Sequence, residues 1–217
     1  MKSRASGTEC HVSGAKCRVS LMVPIIDEET KQMQNYNDFL AEILIDEKRL
    51  QVRVKELGAQ ISADYKNSNL LLICILRGGV PFLVDLSRQI TIPHMVDFMA
   101  VSSYGAGARQ TTGQVRIALD LKEEIQDRDV LLVEDIVDSG FTIASVIELL
   151  STRRPRSMQV CALLDKVERR EVNVPIHYRG FVIPDKFVFG YGLDLDEYYR
   201  NLPFIGTVDP KRYQPNE

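Results

Sequence analysis

The sequence predicts an α/β domain, a mostly parallel twisted sheet with helices on both faces, plus a small hood subdomain. Three observations lead there. Apolar runs of strand length alternate with stretches of helical periodicity. Several of those runs, Leu70 to Leu76 and Val130 to Val133 above all, are continuously apolar, as strands covered on both faces must be. A length of 217 residues with 45% apolar content supports one sizeable core, without internal repeats or low-complexity linkers.

In chain order, residues 1–38 read as an N-terminal tail and a weakly patterned segment, and residues 39–217 as the folded domain. The first twenty residues are basic and Ser-rich with one acid, Glu9. Organelle transit peptides share that composition, but no amphipathic periodicity supports targeting, so a tail is expected. Phe39 to Ile45 is a short apolar stretch. Asp46 then opens a helical run in which Leu50, Val54, Leu57 and Ile61 share one face. Leu70 to Leu76 is a strand ending at Gly78-Gly79, and Pro81 to Ile90 a helix with proline in its first turn. His94 to Val101 is a strand, Ser102 to Gly113 a loop of small residues, Gln114 to Leu119 a strand, and Asp129 to Val133 a buried strand. Phe141 to Leu150 is the next helix and Met158 to Leu164 the next strand. After Asp165 the pattern breaks into short aromatic strands with Pro175, Pro184 and Pro203, expected to form the hood, built mainly from 165–217 with part of the N-terminal region.

Composition excludes several classes. A net charge of −3 gives no overall basic field for nucleic acid, and 26% charged residues argue against disorder. No apolar run reaches the roughly 18 residues of a membrane span, so a soluble, cytoplasmic protein is expected. Cys10, Cys17, Cys74 and Cys161 contain no CxxC pair; the last two sit in strand runs and read as reduced core thiols. His11, His94 and His177 are scattered, and a zinc site at Cys10, His11 and Cys17 would lack a fourth ligand.

Chemistry concentrates in Val130 to Thr142, VLLVEDIVDSGFT. A buried strand ends in Glu134-Asp135 and passes through Asp138-Ser139-Gly140 into a helix. Gly140 permits close backbone approach, Ser139 and Thr142 offer hydroxyls, and a helix start presents unpaired amides to an anion. The GxxxxGK[ST] pattern of nucleotide triphosphate loops is not matched. Glu134 and Asp135 suit the two hydroxyls of a ribose or a divalent cation, which selects a sugar phosphate over bare phosphate. Asp138 would then reach over the sugar as a general base. The competing reading is that Asp138 and Ser139 only cap the helix.

VEDIVDSGFT resembles the phosphoribosyl pyrophosphate (PRPP) motif of the type I phosphoribosyltransferases. More narrowly, the chain resembles the hypoxanthine-guanine members from about Phe39 to near Val208. The resemblance implies that Glu134 and Asp135 hold the ribose, that Ser139, Gly140, Phe141 and Thr142 surround the 5′-phosphate, and that Asp138 is the catalytic acid or base near purine N7. It implies a pyrophosphate loop at Leu76-Arg77-Gly78-Gly79, with a cis peptide before Arg77, and Arg200 near the same group. Ser103 and Tyr104 match the start of a loop that closes over the reacting centre; an ordinary exposed loop reads equally well there. Lys166 matches the donor to the purine 6-oxo group, Phe187 the stacking aromatic, Val188 the backbone at the base edge, and Asp194 a base-edge and metal aspartate, with Asp196 and Glu197 as neighbouring competitors. Mg²⁺ is the implied cofactor, facing Asp194, Glu134 and Asp135. Phe141 and Arg77 depart from the lysines many members carry.

A lysine donor favours hypoxanthine and guanine over adenine, whose amino group would leave buried donors unpaired. The expected partners are a purine base and PRPP, with no nucleic acid and no membrane, in a homodimer or homotetramer. Acceptance of xanthine, and an RNA-binding regulator on the same fold, remain as alternatives at this stage.

Overall fold

The computed structural model describes residues 11–12, 15–16, 34–103 and 115–215, and divides the chain into two units between Gln34 and Asn35. In the first unit, β1 (His11–Val12) and β2 (Ala15–Lys16) form an antiparallel hairpin. Cys10 and Cys17, two residues of the zinc fragment weighed above, lie outside the described residues.

The second unit opens with α1 (Tyr36–Phe39), whose first turn is capped by Asn35 accepting from the Asn37 amide at 3.0 Å. β3 (Leu40–Ile45) follows, then α2 (Glu47–Asp64), capped by Asp46 accepting from the Arg49 amide at 2.9 Å. Leu50, Val54, Leu57 and Ile61 are all fully buried, as the periodicity requires. β4 (Leu70–Ile75) is buried along its whole length because it has a core on either side. Leu70, Leu72 and Cys74 face one core with α2 and α3 (Val80–Gln89); Leu71, Ile73 and Ile75 face the other with α4 (Phe141–Ser151). That two-sided burial accounts for the continuous apolar runs. Cys74 and Cys161 are buried free thiols, as expected.

The main sheet also contains β5 (His94–Ser103), β6 (Val115–Leu119), β7 (Asp129–Val137), β8 (Ser157–Asp165) and β9 (Tyr178–Val182), in the order β6-β5-β4-β7-β8-β9. Only the β5–β6 pairing is antiparallel. From β4 the chain passes to β5 on one side, while β7 lies on the other. The strand order therefore reverses between β4 and β7, where open α/β sheets form a crevice at their carboxyl ends. A second, three-stranded antiparallel sheet joins β10 (Val188–Phe189), β11 (Ile205–Val208) and β3. Phe39 anchors it, packing its ring 5.3 Å from Phe189, 5.3 Å from Tyr199 and 5.1 Å from Tyr213. Among the described residues no helix is long and apolar enough to cross a membrane.

Two details differ from the sequence reading. β7 continues past Val133 to Val137, because Ile136 and Val137 still pair with Leu164 and Asp165 of β8. The acid pair thus sits on a strand and not in a loop. β9 joins the main sheet beside β8, whereas the strands after Asp165 were all expected in the hood. Its sequence alternates like an edge strand, with Tyr178 buried and Arg179 exposed, so its apolar signal is weak. α2 fixes it through side chains: Arg53 donates to the carbonyls of Gly180 and Arg179 at 3.1 and 2.6 Å, and Tyr178 Oη donates to Asp64 at 3.0 Å.

At Gly180 a Cβ would lie 2.2 Å from the Leu163 carbonyl oxygen, part of a backbone that cannot yield. Gly180→Ala is expected to destabilise the domain by about 1–3 kcal/mol, read as a lower urea midpoint. An unchanged midpoint would show that β9 is not held against β8 in this way.

Candidate active site

Four segments meet at the carboxyl end of the main sheet. The first follows β4, where Leu76-Arg77 is a cis peptide and Gly78-Gly79 leads into α3. The second runs from Glu134 at the end of β7 through Asp138-Ser139-Gly140 into α4. The third is Lys166 and the short 3₁₀ turn Val167–Arg169 after β8. The fourth runs from Phe187 through the turns around Gly192 to Arg200.

Gly140 is the N-cap of α4, with a left-handed backbone (φ 94°) that a glycine adopts without penalty. A Cβ there would also meet the Val172 carbonyl at 2.8 Å. A glycine cap supplies no side-chain acceptor, so the first-turn amides of α4 face a cavity of about 250 Å³ lined by Glu134, Asp138, Ser139, Gly140 and Thr142. The capping alternative for Asp138 therefore does not hold. Its carboxylate is directed to two cations, 3.1 Å from Arg169 Nε and 3.6 Å from Lys166 Nζ. The 166–172 segment also binds the loop by backbone: Lys166 N donates to Val137 O at 3.0 Å, and Glu171 N and Val172 N donate to Ser139 O at 2.9 and 3.1 Å.

The acid pair lies behind this loop. Burial first, then the adjacent Asp135 charge, push the Glu134 carboxyl well above the usual range. Burial also raises Asp135, opposed by the Ile136 amide donating to Oδ1 at 2.8 Å and by the Arg200 charge. Glu134 Oε2 is buried without a hydrogen-bond partner among the described residues, leaving an acceptor to be satisfied from the crevice. Gly78 is pressed so closely against the pair that a Cβ would fall 1.6 Å from Asp135 Oδ2; a Cβ on Gly192 would in turn fall 2.0 Å from Gly78 O. Three segments are thus stacked in van der Waals contact through two glycines.

Arg77 and Arg200 approach from the far side. Arg77 Nη2 donates to Glu197 Oε1 at 2.7 Å, and Arg200 Nη2 lies 3.0 Å from Glu197 Oε2 and 2.8 Å from Asp194 Oδ1. Arg200 Nη1 also donates to Gly192 O at 2.9 Å. Asp196, the other acid of that turn, instead accepts from Tyr213 Oη. On the remaining side, Lys166 is 6% exposed, held between Asp138 and Asp185, with its Nζ 3.5 Å from Asp185 Oδ1. Phe187 is 62% exposed and presents a bare ring, while Val188 is buried in β10. Ser103 ends β5, and Tyr104 lies outside the described residues.

The candidates therefore assemble in two groups: Glu134, Asp135, Asp138, Ser139, Gly140 and Thr142 with Lys166, and Arg77, Gly78, Asp194 and Arg200. Sequence reasoning missed Arg169 and Asp185. Arg169 follows Lys166 by one helical turn, a spacing that could have flagged it in DKVERR. Among the described residues no group of three or more His, Cys, Asp or Glu side chains could hold a metal ion unaided. Glu134, Asp135 and Asp194 nevertheless offer hard oxygen ligands, one with an unsatisfied buried atom, and Mg²⁺ needs only one or two carboxylates when phosphate oxygens and water complete its shell.

A carboxyl raised in the folded state binds its proton more tightly there than in the unfolded chain. It costs stability as pH climbs from the ordinary carboxylate range through the raised value. In EDTA, Glu134→Gln should melt above the parent near pH 8, with the advantage shrinking toward pH 5. A variant that melts lower at pH 8 would contradict that sign.

The chain is similar to known proteins over most of its length. Residues 41–197 match the family model described as a phosphoribosyl transferase domain. The hypoxanthine phosphoribosyltransferase of Escherichia coli is 51% identical over 169 residues, 77% of this chain and 94% of that one. The hypoxanthine-guanine phosphoribosyltransferase of Mycobacterium tuberculosis is 48% identical over 185 residues, 82% of this chain and 91% of its own. A crystal structure of a hypoxanthine phosphoribosyltransferase from Staphylococcus aureus superposes with a TM-score of 0.79 at 44% identity, over 84% of this chain and all of that one. On these matches the chain belongs to the phosphoribosyltransferase family, among its hypoxanthine and hypoxanthine-guanine members.

Proposed function

We propose that the enzyme joins N9 of hypoxanthine or guanine to C1 of PRPP, releasing pyrophosphate and forming IMP or GMP, a purine-salvage reaction. One observation carries the reading beyond family membership. An uncapped helix start, a half-buried acid pair and a carboxylate facing a buried lysine converge at the β4/β7 reversal.

In this reading the first-turn amides of α4, with the Ser139 and Thr142 hydroxyls, receive the 5′-phosphate. Phe141 adds no charge, so the amides and hydroxyls do that work unaided. Glu134 and Asp135 accept from the ribose hydroxyls, which satisfies Glu134 Oε2. Backbone amides around Gly78, with Arg77 and Arg200, take the pyrophosphate and the negative charge that grows on it as the C1–O bond breaks. Asp138 accepts the N7 proton as N9 attacks, and Lys166, already 3.6 Å from that carboxylate, donates to the 6-oxo group. Phe187 stacks on the base, and Val188 and Asp194 meet its edge. Mg²⁺, held by Asp194, Glu134 and Asp135 with substrate oxygens, would neutralise charge on the departing pyrophosphate. The β3–β10–β11 sheet serves as a hood carrying the base-facing residues. A cytoplasmic homodimer or homotetramer is the expected form, supported by the exposed Met95, Val96 and Phe98 of β5.

Purified protein with PRPP and Mg²⁺ should convert hypoxanthine and guanine to nucleotide, leave adenine untouched, and stop in EDTA. Xanthine in the same assay separates the neighbouring specificity class, and no turnover with any base would refute the reading. Asp138→Asn is expected to lower kcat by about 10²–10⁴-fold with little change in PRPP affinity; equal turnover would remove Asp138 from the proton transfer.

A further inference from the structure

Resting on the transferase reading, we propose that Glu197 is an internal stand-in for pyrophosphate, a carboxylate that pairs with both pyrophosphate-facing cations and must be displaced when PRPP binds. Its two oxygens are divided between the two arginines, Oε1 accepting from Arg77 at 2.7 Å and Oε2 from Arg200 at 3.0 Å. One anion therefore spans the gap between two segments far apart in sequence, as a bound diphosphate would. The arrangement is not needed to hold Arg200, which keeps Asp194 at 2.8 Å and the Gly192 carbonyl at 2.9 Å. Arg77, by contrast, has Glu197 as its ion-pair partner among the described residues, and both side chains are solvated, 68% and 58% exposed. Exposed pairs of this kind are weak enough to exchange for a multiply charged ligand. The backbone aims the carboxylate: Glu197 has φ 71° and its amide donates to Asp194 Oδ2 at 3.0 Å. The consequence is a competition that lowers affinity for PRPP and speeds loss of pyrophosphate.

The test is titration calorimetry of inorganic pyrophosphate, in MgCl₂ at low salt, into the parent chain, Glu197→Gln and Glu197→Ala. Both substitutions are at a solvated position, so a folded protein is expected. The Kd for pyrophosphate should fall about 3- to 10-fold in both, the KM for PRPP should fall with it, and the KM for the purine base should stay unchanged. The gain should shrink at high salt. Glu148→Gln, which removes the same charge from the solvent side of α4, should leave the pyrophosphate Kd unchanged. Unchanged or weaker pyrophosphate binding in Glu197→Gln would overturn the proposal, by showing that Glu197 holds the arginines in place for the ligand. An equal gain in Glu148→Gln would also overturn it, as a general charge effect. Nucleotide synthesis without the affinity gain sinks this inference alone. The gain without nucleotide synthesis from any base sinks the transferase reading and leaves the competition standing.

Discussion

Glu134 and Asp135 stand side by side, half-buried, at the reversal point of the sheet, and much of the surrounding structure answers that placement. Burial raises both carboxyls above the usual range, and the adjacent Asp135 charge raises Glu134 further. The pair is tolerable because β7 continues beneath it, lending the Ile136 amide to Asp135, and because Arg200 contributes charge from across the crevice. It also dictates where side chains are forbidden. Gly78 lies against Asp135 and Gly192 against Gly78, so the segment after β4 and the turn before Asp194 are located by contact with the acid pair.

Strongly periodic and strongly apolar features were legible in the sequence. α2 was readable because Leu50, Val54, Leu57 and Ile61 must share a face, and β4 because a strand between two cores leaves no room for a polar residue. VEDIVDSGFT was readable because its residue types are wrong for an ordinary strand–helix junction. What escaped has a common physical origin. β9 is held by Arg53 and Tyr178 through hydrogen bonds to partners more than 100 positions away, which no local pattern records. The end of β7 was drawn early because carboxylates resemble a loop unless the pairing with Leu164 and Asp165 is known. Arg169 and Asp185 were missed, since only the folded turn after β8 and the segment after β9 bring them to Asp138 and Lys166.

The segment 166–172 links the two halves of the site. Its amides hold the Val137 and Ser139 carbonyls, and in the proposed reading it carries Lys166 toward the purine side and steadies the phosphate side. Behind it, Asp165 is buried and paired with Arg170 and Arg179, so the segment is anchored at its origin. Arg170 also lies against Gly140, where a Cβ would approach its Cδ at 3.0 Å. A shift of this segment would therefore move base recognition and the phosphate cradle together. That suits a reaction in which N9 and C1 must meet in line, where small errors of placement are costly.

A site for a substrate as anionic as PRPP ought to be rich in free positive charge, yet the cations it gathers among the described residues are paired. Lys166 and Arg169 face Asp138, and Arg77 and Arg200 face Glu197 and Asp194. Burial raises both carboxyls of the acid pair above the usual range, which eases that conflict. The other carboxylates are solvated enough to change partners. Net charge and composition could not reveal this arrangement, because a chain of net −3 with its cations already paired resembles an ordinary acidic surface. In the proposed reading the attraction for phosphate comes from the amides of α4 and the segment after β4, fixed dipoles that need no counter-ion. On that reading paired side-chain charges give specificity and release, and the backbone supplies the standing affinity.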